Sequence, residues 1–183
     1  QYLKAWLLKR SYPEQLVDRA IFELKKLAYA DNKSLYDVNK EVYNQLRYGI
    51  KLRPDQSPNS VTIDLIDWQH PEANHFGIAE EVTVSGIHNK RPDLVLYVNG
   101  IALGVLELKR STVSVAEGIR QNIDSQKPEF IKRFFSTMQL VMAGNDSEGL
   151  RYGTIETKEK YYLKWKEWGE TESSLDSHVA ALC

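Results

Sequence analysis

Three charged residues interrupt the apolar middle of this sequence, and their types fit metal-dependent hydrolysis. Asp93 precedes the apolar segment 94–98, and Glu107 and Lys109 end the apolar segment that begins at residue 101. Charges in such surroundings cost free energy unless they are paired or hold a metal ion. Carboxylates suit a hard cation such as Mg2+, and a lysine can orient or deprotonate a water molecule and offset phosphate charge. The pattern therefore predicts a site for metal-dependent phosphodiester hydrolysis.

The alternation of side chains along a strand restricts which of these groups can meet. Glu107 and Lys109 are two residues apart, so they lie on the same face of a strand. A simple two-residue turn between the two apolar segments would place Asp93 and Glu107 on opposite faces. One extra residue, in the turn or in a bulge near Gly104, would place all three charged side chains on one face. The metal-site hypothesis therefore predicts such a bulge.

Periodicity and turn residues place these charges within a larger set of helices and strands. Predicted helices cover 11–28, with Ser11 and Glu14 as a capping box, then 34–48 ending at Gly49, 115–126 and 130–135. Predicted strands cover 61–68, 76–84, 94–98, 101–108, 138–143 and 151–156, the last as an edge strand. The helix between the strands 101–108 and 138–143 indicates a parallel pairing with a right-handed connection.

Length and composition indicate an ordinary globular domain. The chain has 183 residues, of which 42% are hydrophobic and 27% are charged, enough for one domain with a sizeable core. The net charge of −1 gives no global signal for nucleic acid, although a local basic groove would suffice for binding. The single cysteine excludes an internal disulfide framework. The sequence has no signal-peptide pattern and no run of about 18 apolar residues, so we expect a cytoplasmic protein without a membrane segment.

The charged motif resembles the signature of the PD-(D/E)xK nuclease superfamily, carried here by Pro92-Asp93 and Glu107-Leu108-Lys109. The region 61–168 is more specifically similar to the N-terminal endonuclease domain of the restriction (motor) subunit of type I restriction enzymes. The segments that carry this similarity are Leu65-Ile66-Asp67-Trp68, Asn74-His75-Phe76, the run 91–103, Glu107-Leu108-Lys109-Arg110, the run 139–146, Tyr152-Gly153-Thr154 and Lys164-Trp165-Lys166-Glu167-Trp168. The similarity covers roughly three fifths of the chain, so it is more specific than a short catalytic signature alone.

The resemblance implies an α/β (α+β) fold with a central mixed β-sheet flanked by helices. We expect an endonuclease domain at 1–168, with a helical part at 1–50 and a nuclease core at 61–156. Residues 169–183 would form a tail or a linker toward a helicase or translocase domain. Asp93, Glu107 and the backbone carbonyl of Leu108 would hold Mg2+ as metal ligands, and Lys109 would be catalytic.

The resemblance also implies a substrate and partners. The substrate would be double-stranded DNA, and the partners would be the modification (methyltransferase) and specificity subunits of a type I complex. That complex is driven by ATP, but this sequence has no G-x-x-x-x-G-K-[ST] phosphate loop, so the motor does not lie in these residues.

Two further residues have both a functional and an ordinary interpretation. Family members carry a Q-x-x-x-Y pattern on the helix that follows the lysine; Gln121 fits it, but Ser125 stands at the tyrosine position. Gln121 is therefore either a site residue or an exposed helical glutamine. Glu14 is either an acidic residue of the first helix that reaches the metal or the partner in the capping box.

Alternative functions remain open at this point. A nuclease of another PD-(D/E)xK family, serving DNA repair or a mobile element, would share the charged motif. A non-catalytic DNA-binding or assembly module on the same fold would not need all three buried charges. Trp165 and Trp168, which lie beside lysines, could stack on bases, although a domain interface is the more common role of such aromatic residues.

Overall fold

The computed structural model describes residues 1–55 and 58–166. The helices are α1 (Tyr2–Lys9), α2 (Glu14–Ala28), α3 (Leu35–Tyr48) and α4 (Val115–Ser125). The strands are β1 (Ile50–Leu52), β2 (Val61–Ile63), β3 (Phe76–Glu80), β4 (Leu94–Val98), β5 (Ile101–Leu108), β6 (Leu140–Asn145), β7 (Gly149–Gly153) and β8 (Leu163–Lys164). Short 3-10 helices lie at Pro71–Ala73, Lys132–Ser136 and Glu159–Tyr161.

Strands β3 to β8 form one six-stranded sheet in the order of the chain. All neighbours are antiparallel except β5 and β6, which are parallel and are connected through α4. Strands β1 and β2 form a separate antiparallel pair next to the first three helices. The mixed sheet with flanking helices confirms the predicted fold class, and the β5–β6 pairing confirms the predicted parallel pair.

The β4–β5 hairpin contains the predicted bulge. Asn99 (φ 53°) and Gly100 (φ 81°) both have positive φ, as a two-residue hairpin turn of primed type requires. Val98 pairs with Ile101 next to this turn, but further along Leu96 pairs with Gly104. Strand β5 therefore contains one extra residue, Leu103, just before Gly104. This is one of the two positions that the metal-site hypothesis predicted for a bulge.

The two faces of the sheet bury separate groups of apolar side chains. On the face that α4 covers, Val95, Val105 and Val141 pack with Ile119 of α4 and with Phe135. The opposite face buries a smaller cluster formed by Leu106, Met142 and Leu150, with Leu94, Leu96 and Leu108 at its border. Val98, at the turn end of β4, packs against the core of the helical part. The charged residues must therefore be sought on the α4 face.

The helical part starts differently from the prediction. Helix α1 was not predicted, and the proposed capping box at Ser11 is wrong because α2 begins at Glu14 with Pro13 as its N-cap residue. Ser11 has a positive φ of 62°. Proline keeps the preceding residue out of the helical region of backbone space, so a helix cannot extend back through Tyr12. Helix α3 agrees with the prediction, since Ser34 caps it and Gly49 ends it.

Several strand boundaries also differ from the predictions. The strand predicted at 61–68 ends at Ile63, and the strand predicted at 76–84 ends at Glu80. Strand β7 is not an edge strand, because β8 pairs with it. Trp165, just after β8, packs edge-on against Tyr152 with ring centroids 5.4 Å apart, whereas Trp168 and the predicted tail at 169–183 lie outside the described residues. Within the described ranges, the helices are too short or too polar to cross a membrane.

Candidate active site

The bulge brings Asp93 and Glu107 to the same face of the hairpin. Leu94 pairs with Leu106, so Asp93 and Glu107 occupy the next pair of positions along the two strands. The valines at 95 and 105, which share their faces with the two carboxylates, are fully buried under α4. The carboxylates therefore lie on the α4 side of the sheet, beyond this apolar packing.

Hydrogen bonds connect five of the residues singled out from the sequence, in two groups. Asp93 Oδ2 accepts the backbone N–H of Leu108 at 2.7 Å. Glu107 Oε2 accepts from Gln121 Nε2 at 2.7 Å, and Lys109 Nζ donates to Gln121 Oε1 at 2.8 Å. Lys109 Nζ also lies 3.9 Å from Glu107 Oε2. The side-chain amide of Gln121 thus bridges the carboxylate and the ammonium.

The backbone of β5 adds an oxygen on the same side as Asp93. In a strand, the N–H and C=O groups of one residue point to the same side. Lys109 N–H points to Gly144 of β6, whereas Leu108 N–H points to Asp93. The carbonyl oxygen of Leu108 therefore lies on the Asp93 side, where the sequence prediction placed it as a metal ligand.

Helix α4 holds Gln121 close to the strand because of a glycine. A Cβ at Gly118 would lie 3.0 Å from the Cβ of Ala143, 3.5 Å from that of Glu107 and 3.5 Å from Cε of Lys109. The helix begins at Ser114, whose hydroxyl oxygen accepts the N–H of Ala116. Gly118 was not predicted as a site residue, although a glycine inside a helical pattern is a signal for close approach.

The surroundings of Glu107 disfavour its charged form. Its side chain is 3% exposed, and burial together with the negative charge of Asp93 raises the pKa of Glu107 from 4.5 to about 8. The positive charges of Lys109 and Lys90 act in the opposite direction on this pKa. Two close carboxylates, one of them buried, are an arrangement that a bound cation would stabilise.

Comparison with known proteins places the chain in a family. Residues 3–160 match the family described as type I restriction enzyme R protein N terminus. The chain belongs to this family. It is 26% identical over 174 residues to the type I restriction enzyme HindI endonuclease subunit of Haemophilus influenzae. It is also 27% identical over 122 residues to the type I restriction enzyme SsaAORF53P endonuclease subunit of Staphylococcus saprophyticus.

These relatives are much longer than the matched region. The first match covers 91% of this chain and 16% of the Haemophilus subunit. The second covers 67% of this chain and 13% of the Staphylococcus subunit. The chain therefore corresponds to about one sixth of the curated relatives it matches.

Other segments that carry the resemblance to this R-subunit family meet at the far end of the hairpin. Asn99 is fully buried, and its amide donates to the carbonyl oxygen of Leu65 and to Asn74 Oδ1, both at 2.9 Å. Asn99 Oδ1 accepts from the N–H of His75, and Asn74 Oδ1 also accepts from the N–H of Asp67. These segments therefore fix the turn end of the hairpin rather than the carboxylate end.

The structure does not bring Glu14 to the carboxylates. Its side chain is 67% exposed and pairs with Lys4 at 2.9 Å. Within the described residues, acidic, histidine and cysteine side chains form no group of three that could hold a metal ion. A metal at Asp93 and Glu107 would therefore need backbone or solvent oxygens as further ligands.

Ser125 uses its hydroxyl within α4. Its Oγ donates to the carbonyl oxygen of Gln121 at 2.8 Å, and the residue is only 4% exposed. It therefore offers no group comparable to the phenol usual at this position of the family pattern. Lys90, whose charge acts on Glu107, was missed in the sequence analysis, although it lies only two residues before the Pro92-Asp93 signature.

Proposed function

We propose that this chain is a Mg2+-dependent endonuclease domain that hydrolyses phosphodiester bonds of double-stranded DNA. The observation that carries the proposal is the cluster of Asp93, Glu107, Lys109 and Gln121 on one face of the sheet. Membership of the type I restriction enzyme R protein family supports the proposal, since the related subunits are named endonucleases. The substrate class comes from this family membership together with the chemistry of the cluster.

The donor set fits Mg2+. Asp93, Glu107 and the carbonyl of Leu108 offer hard oxygen ligands, which Mg2+ prefers, and water completes the coordination of Mg2+ in most proteins. Burial and the negative charge of Asp93 raise the pKa of Glu107 to about 8, so the ionised form is disfavoured without a cation. A cation held between the two carboxylates would supply that charge and would favour the ionised form of both.

Each remaining residue has a defined part in the proposed reaction. A bound Mg2+ would supply electrostatic stabilisation of the charge that develops on the phosphate. Lys109, which is two residues beyond Glu107 on the same face, directs a positive charge toward the attacking water and the phosphate. Gln121 holds the ammonium of Lys109 through Oε1 and the carboxylate of Glu107 through Nε2, so it fixes the position of both.

The larger assembly is part of the proposal. We infer that the domain acts in an ATP-driven type I complex with modification and specificity subunits, which would choose the DNA sequence. The curated relatives support this inference because their printed names are those of type I endonuclease subunits. No Walker-type phosphate loop occurs in the 183 residues, so ATP would be used elsewhere in such a complex.

Calorimetric titration with Mn2+ tests the proposed site directly. We expect the wild-type chain to bind Mn2+ and the Asp93→Ala, Glu107→Ala double variant to lose most of that affinity. Asp124→Ala is a matched control, because it removes a carboxylate of α4 that pairs with Lys127 at the surface. Equal affinity of the wild type and the double variant would contradict the proposed metal site.

A non-catalytic assembly module on the same fold is the second candidate. A module of that kind has no need for a buried Glu107 bridged through a glutamine to a lysine, and this favours the nuclease. Cleavage of duplex DNA by the assembled complex separates the two functions. A complex carrying the double variant that still cut DNA at the wild-type rate would place the nuclease elsewhere.

A further inference from the structure

The segment between β3 and β4 leads directly into the carboxylate site and has a defined shape. Val84 and Lys90 exchange two backbone hydrogen bonds, of 2.8 Å and 3.1 Å, which close a loop over residues 85–89. Inside the loop, Asn89 Oδ1 accepts the N–H of Gly86 at 3.2 Å. Asp93 follows Lys90 by three residues, and its carbonyl oxygen accepts the N–H of Glu81 at 2.8 Å. This segment, residues 84–90, is called the entry loop below.

The entry loop is fixed to the segment that follows α4. The N–H of His88 donates to the carbonyl oxygen of Glu129 at 3.0 Å, and the rings of His88 and Phe130 lie 5.8 Å apart. Gly86 approaches the same segment so closely that a Cβ there would lie 2.1 Å from the carbonyl oxygen of Phe130. Because α4 also carries Gln121, the entry loop has a set position relative to the carboxylate site.

The ammonium of Lys90, in the entry loop, has no carboxylate partner among the described residues. Its Nζ lies 4.0 Å from the centroid of the Phe130 ring, which is a cation–π contact. Among the described residues, no acidic oxygen comes within 4.0 Å of this ammonium. Neighbouring Arg91 pairs with Glu81 at 3.4 Å, and Lys109 is engaged by Gln121. Among the described residues, Lys90 thus has an aromatic partner and no carboxylate partner.

Lys90 lies three residues before Asp93, in the segment that leads into β4. Its partner Phe130 belongs to the segment that follows α4, the helix that carries Gln121. Lys90 does not replace the metal ligands, because an ammonium cannot coordinate a cation. A DNA strand whose scissile phosphate met Asp93 and Glu107 would bring an adjacent phosphate into this region, where a lysine supplies a compact charge.

We propose that the entry loop binds the phosphodiester backbone of double-stranded DNA next to the cleaved bond, with the Lys90 ammonium as the phosphate ligand and the Phe130 ring holding it in place. The proposal rests on the proposed nuclease function and adds a substrate-binding element to it. The contact is to the backbone, so it positions the strand and reads no sequence.

Binding of a fluorescein-labelled duplex to the 183-residue chain, measured by anisotropy with Ca2+ in place of Mg2+ over a range of salt concentrations, tests the proposal. We expect Lys90→Gln to weaken binding about tenfold and to reduce the slope of log K against log salt by about one, since one phosphate contact is lost. Lys90→Arg should stay within about twofold of wild type, because it keeps the charge. Lys51→Gln on β1, outside the six-stranded sheet, is the matched control and should leave both the affinity and the slope unchanged.

Three results would overturn the phosphate contact. The first is a Lys90→Gln variant with the affinity and salt slope of the wild type. The second is a wild-type chain that does not bind the duplex. The third is an equal loss of affinity in Lys90→Gln and Lys90→Arg together with a lower melting temperature of both, which would assign Lys90 a structural role against Phe130.

Mn2+ calorimetry on the same proteins keeps this proposal separate from the proposed function. Lys90→Gln should retain Mn2+ binding, because Lys90 is not a metal ligand. If Lys90→Gln leaves DNA binding unchanged while Asp93→Ala abolishes Mn2+ binding, the entry-loop contact fails and the metal site stands. If Asp93→Ala and Glu107→Ala leave Mn2+ binding intact, the proposed function fails instead.

Discussion

The side-chain amide of Gln121 connects the two kinds of charge in the candidate site. Its nitrogen faces the carboxylate of Glu107 and its oxygen faces the ammonium of Lys109. Only this orientation of the amide satisfies both partners, because a carboxylate only accepts hydrogen bonds and an ammonium only donates them. An ordinary exposed helical glutamine, the alternative considered from the sequence, would not have two charged partners on a neighbouring strand.

Replacement of Lys109 should separate catalysis from metal binding. We expect Lys109→Ala to lower DNA cleavage by the assembled enzyme by about 100-fold or more, because a positioned group that assists proton transfer contributes at least that factor. Mn2+ affinity should remain near that of the wild type, since the lysine is not a ligand. Cleavage rates and Mn2+ calorimetry on the same variant measure the two effects.

Lys127→Ala is the matched control for this experiment. Lys127 follows α4 and pairs with Asp124 on the surface, so its loss should not affect cleavage. A Lys109→Ala enzyme that cut within about tenfold of the wild-type rate, a barrier change of only about 1.4 kcal/mol, would make Lys109 a structural partner of Glu107.

Without metal, Glu107 should make stability depend on pH. In the unfolded chain its pKa is near 4.5, and burial raises the pKa to about 8 in the folded protein. Between these pH values the folded state binds more protons, so this group makes the protein less stable as pH rises through the window. Glu107→Gln keeps the shape and removes the titration. Its stability relative to wild type should increase with pH by up to about 1.4 kcal/mol per pH unit.

Urea unfolding at several pH values between the two pKa values measures this dependence. Chelator in the buffer keeps the proteins metal-free, and the same series with saturating Mn2+ serves as the control, because a bound cation removes the penalty on the ionised form. If the free energies of unfolding of wild type and Glu107→Gln differed by the same amount at every pH between the two pKa values, Glu107 would not be buried beside a second carboxylate.

At the scale of residues, the sequence predicted the charged residues of the site. It did not identify residues whose role depends on close packing or on a contact that is distant in sequence. Asp93, Glu107 and Lys109 stood out because their charges break an apolar pattern. Gly118 was missed because its effect is the absence of a side chain, and Lys90 because its partner Phe130 is far away in sequence. Glu14 was left open between a residue that reaches the metal and a capping-box partner, and its contact with Lys4 at the surface was not predicted.

At the scale of elements, the pairing register between β4 and β5 decides whether Asp93 and Glu107 can form a site. Uninterrupted pairing from the turn at Asn99-Gly100 would place the two carboxylates on opposite faces. The bulge before Gly104 shifts the register by one residue and places them on the same face. The sequence predicted a bulge because the three charged side chains had to share one face to hold a metal. The sequence did not decide whether the extra residue lay in the turn or near Gly104, because either position puts Asp93 and Glu107 on the same face.

Deletion of Leu103 should leave metal binding intact, because it removes the extra residue without changing the pairs on either side of it. Asp93 would still lie opposite Glu107, so the two carboxylates would remain on one face. Insertion of one alanine after Leu106 should instead place this alanine opposite Asp93 and turn Glu107 to the other face. We expect Mn2+ affinity to stay near that of the wild type in the deletion variant and to fall to the level of the Asp93→Ala, Glu107→Ala double variant in the insertion variant, with circular dichroism reporting any loss of strand content. An insertion variant with wild-type Mn2+ affinity would refute the role of the register.

Element boundaries followed local rules unless tertiary packing overrode them. Ser34 and Gly49 bound α3 as predicted, because capping by a hydroxyl and an end at a positive-φ glycine are local effects. Strand β2 is shorter than its alternating pattern because Leu65 and Ile66 bury themselves in the helical core. That packing depends on helices far away in the sequence, so the strand pattern alone could not show it.

At the scale of the whole molecule, the helical part and the sheet are joined by specific contacts. The amide of Asn39 in α3 donates to the carbonyl oxygens of Ser136 at 3.1 Å and of Met138 at 2.7 Å. Gly100 lies against α1, where a Cβ would come 2.6 Å from the Cβ of Tyr2. These contacts indicate that both parts unfold together, as small domains usually do.

Metal binding at the sheet should therefore stabilise the helical part as well. Trp6 donates through Nε1 to the carbonyl oxygen of Ala73, and Trp68 donates to that of Leu46. In a Trp165→Phe, Trp168→Phe background, the two remaining tryptophans therefore report on the helical part. At a free Mn2+ concentration of about 100 times Kd, we expect the free energy of unfolding followed by tryptophan fluorescence to rise by about 2.7 kcal/mol. The physical reason is linkage, since Mn2+ binds only the folded state and the two parts share one transition.

Asp93→Ala is the control for this last measurement, because it should show little or no rise with Mn2+ at the same concentration. Far-ultraviolet circular dichroism, which reports on all helices and strands, should give the same midpoint as fluorescence both with and without Mn2+. If Mn2+ shifted the dichroism midpoint and left the fluorescence midpoint in place, the helical part would unfold independently of the sheet. The contacts of Asn39 and Gly100 would then not couple the site to the rest of the domain.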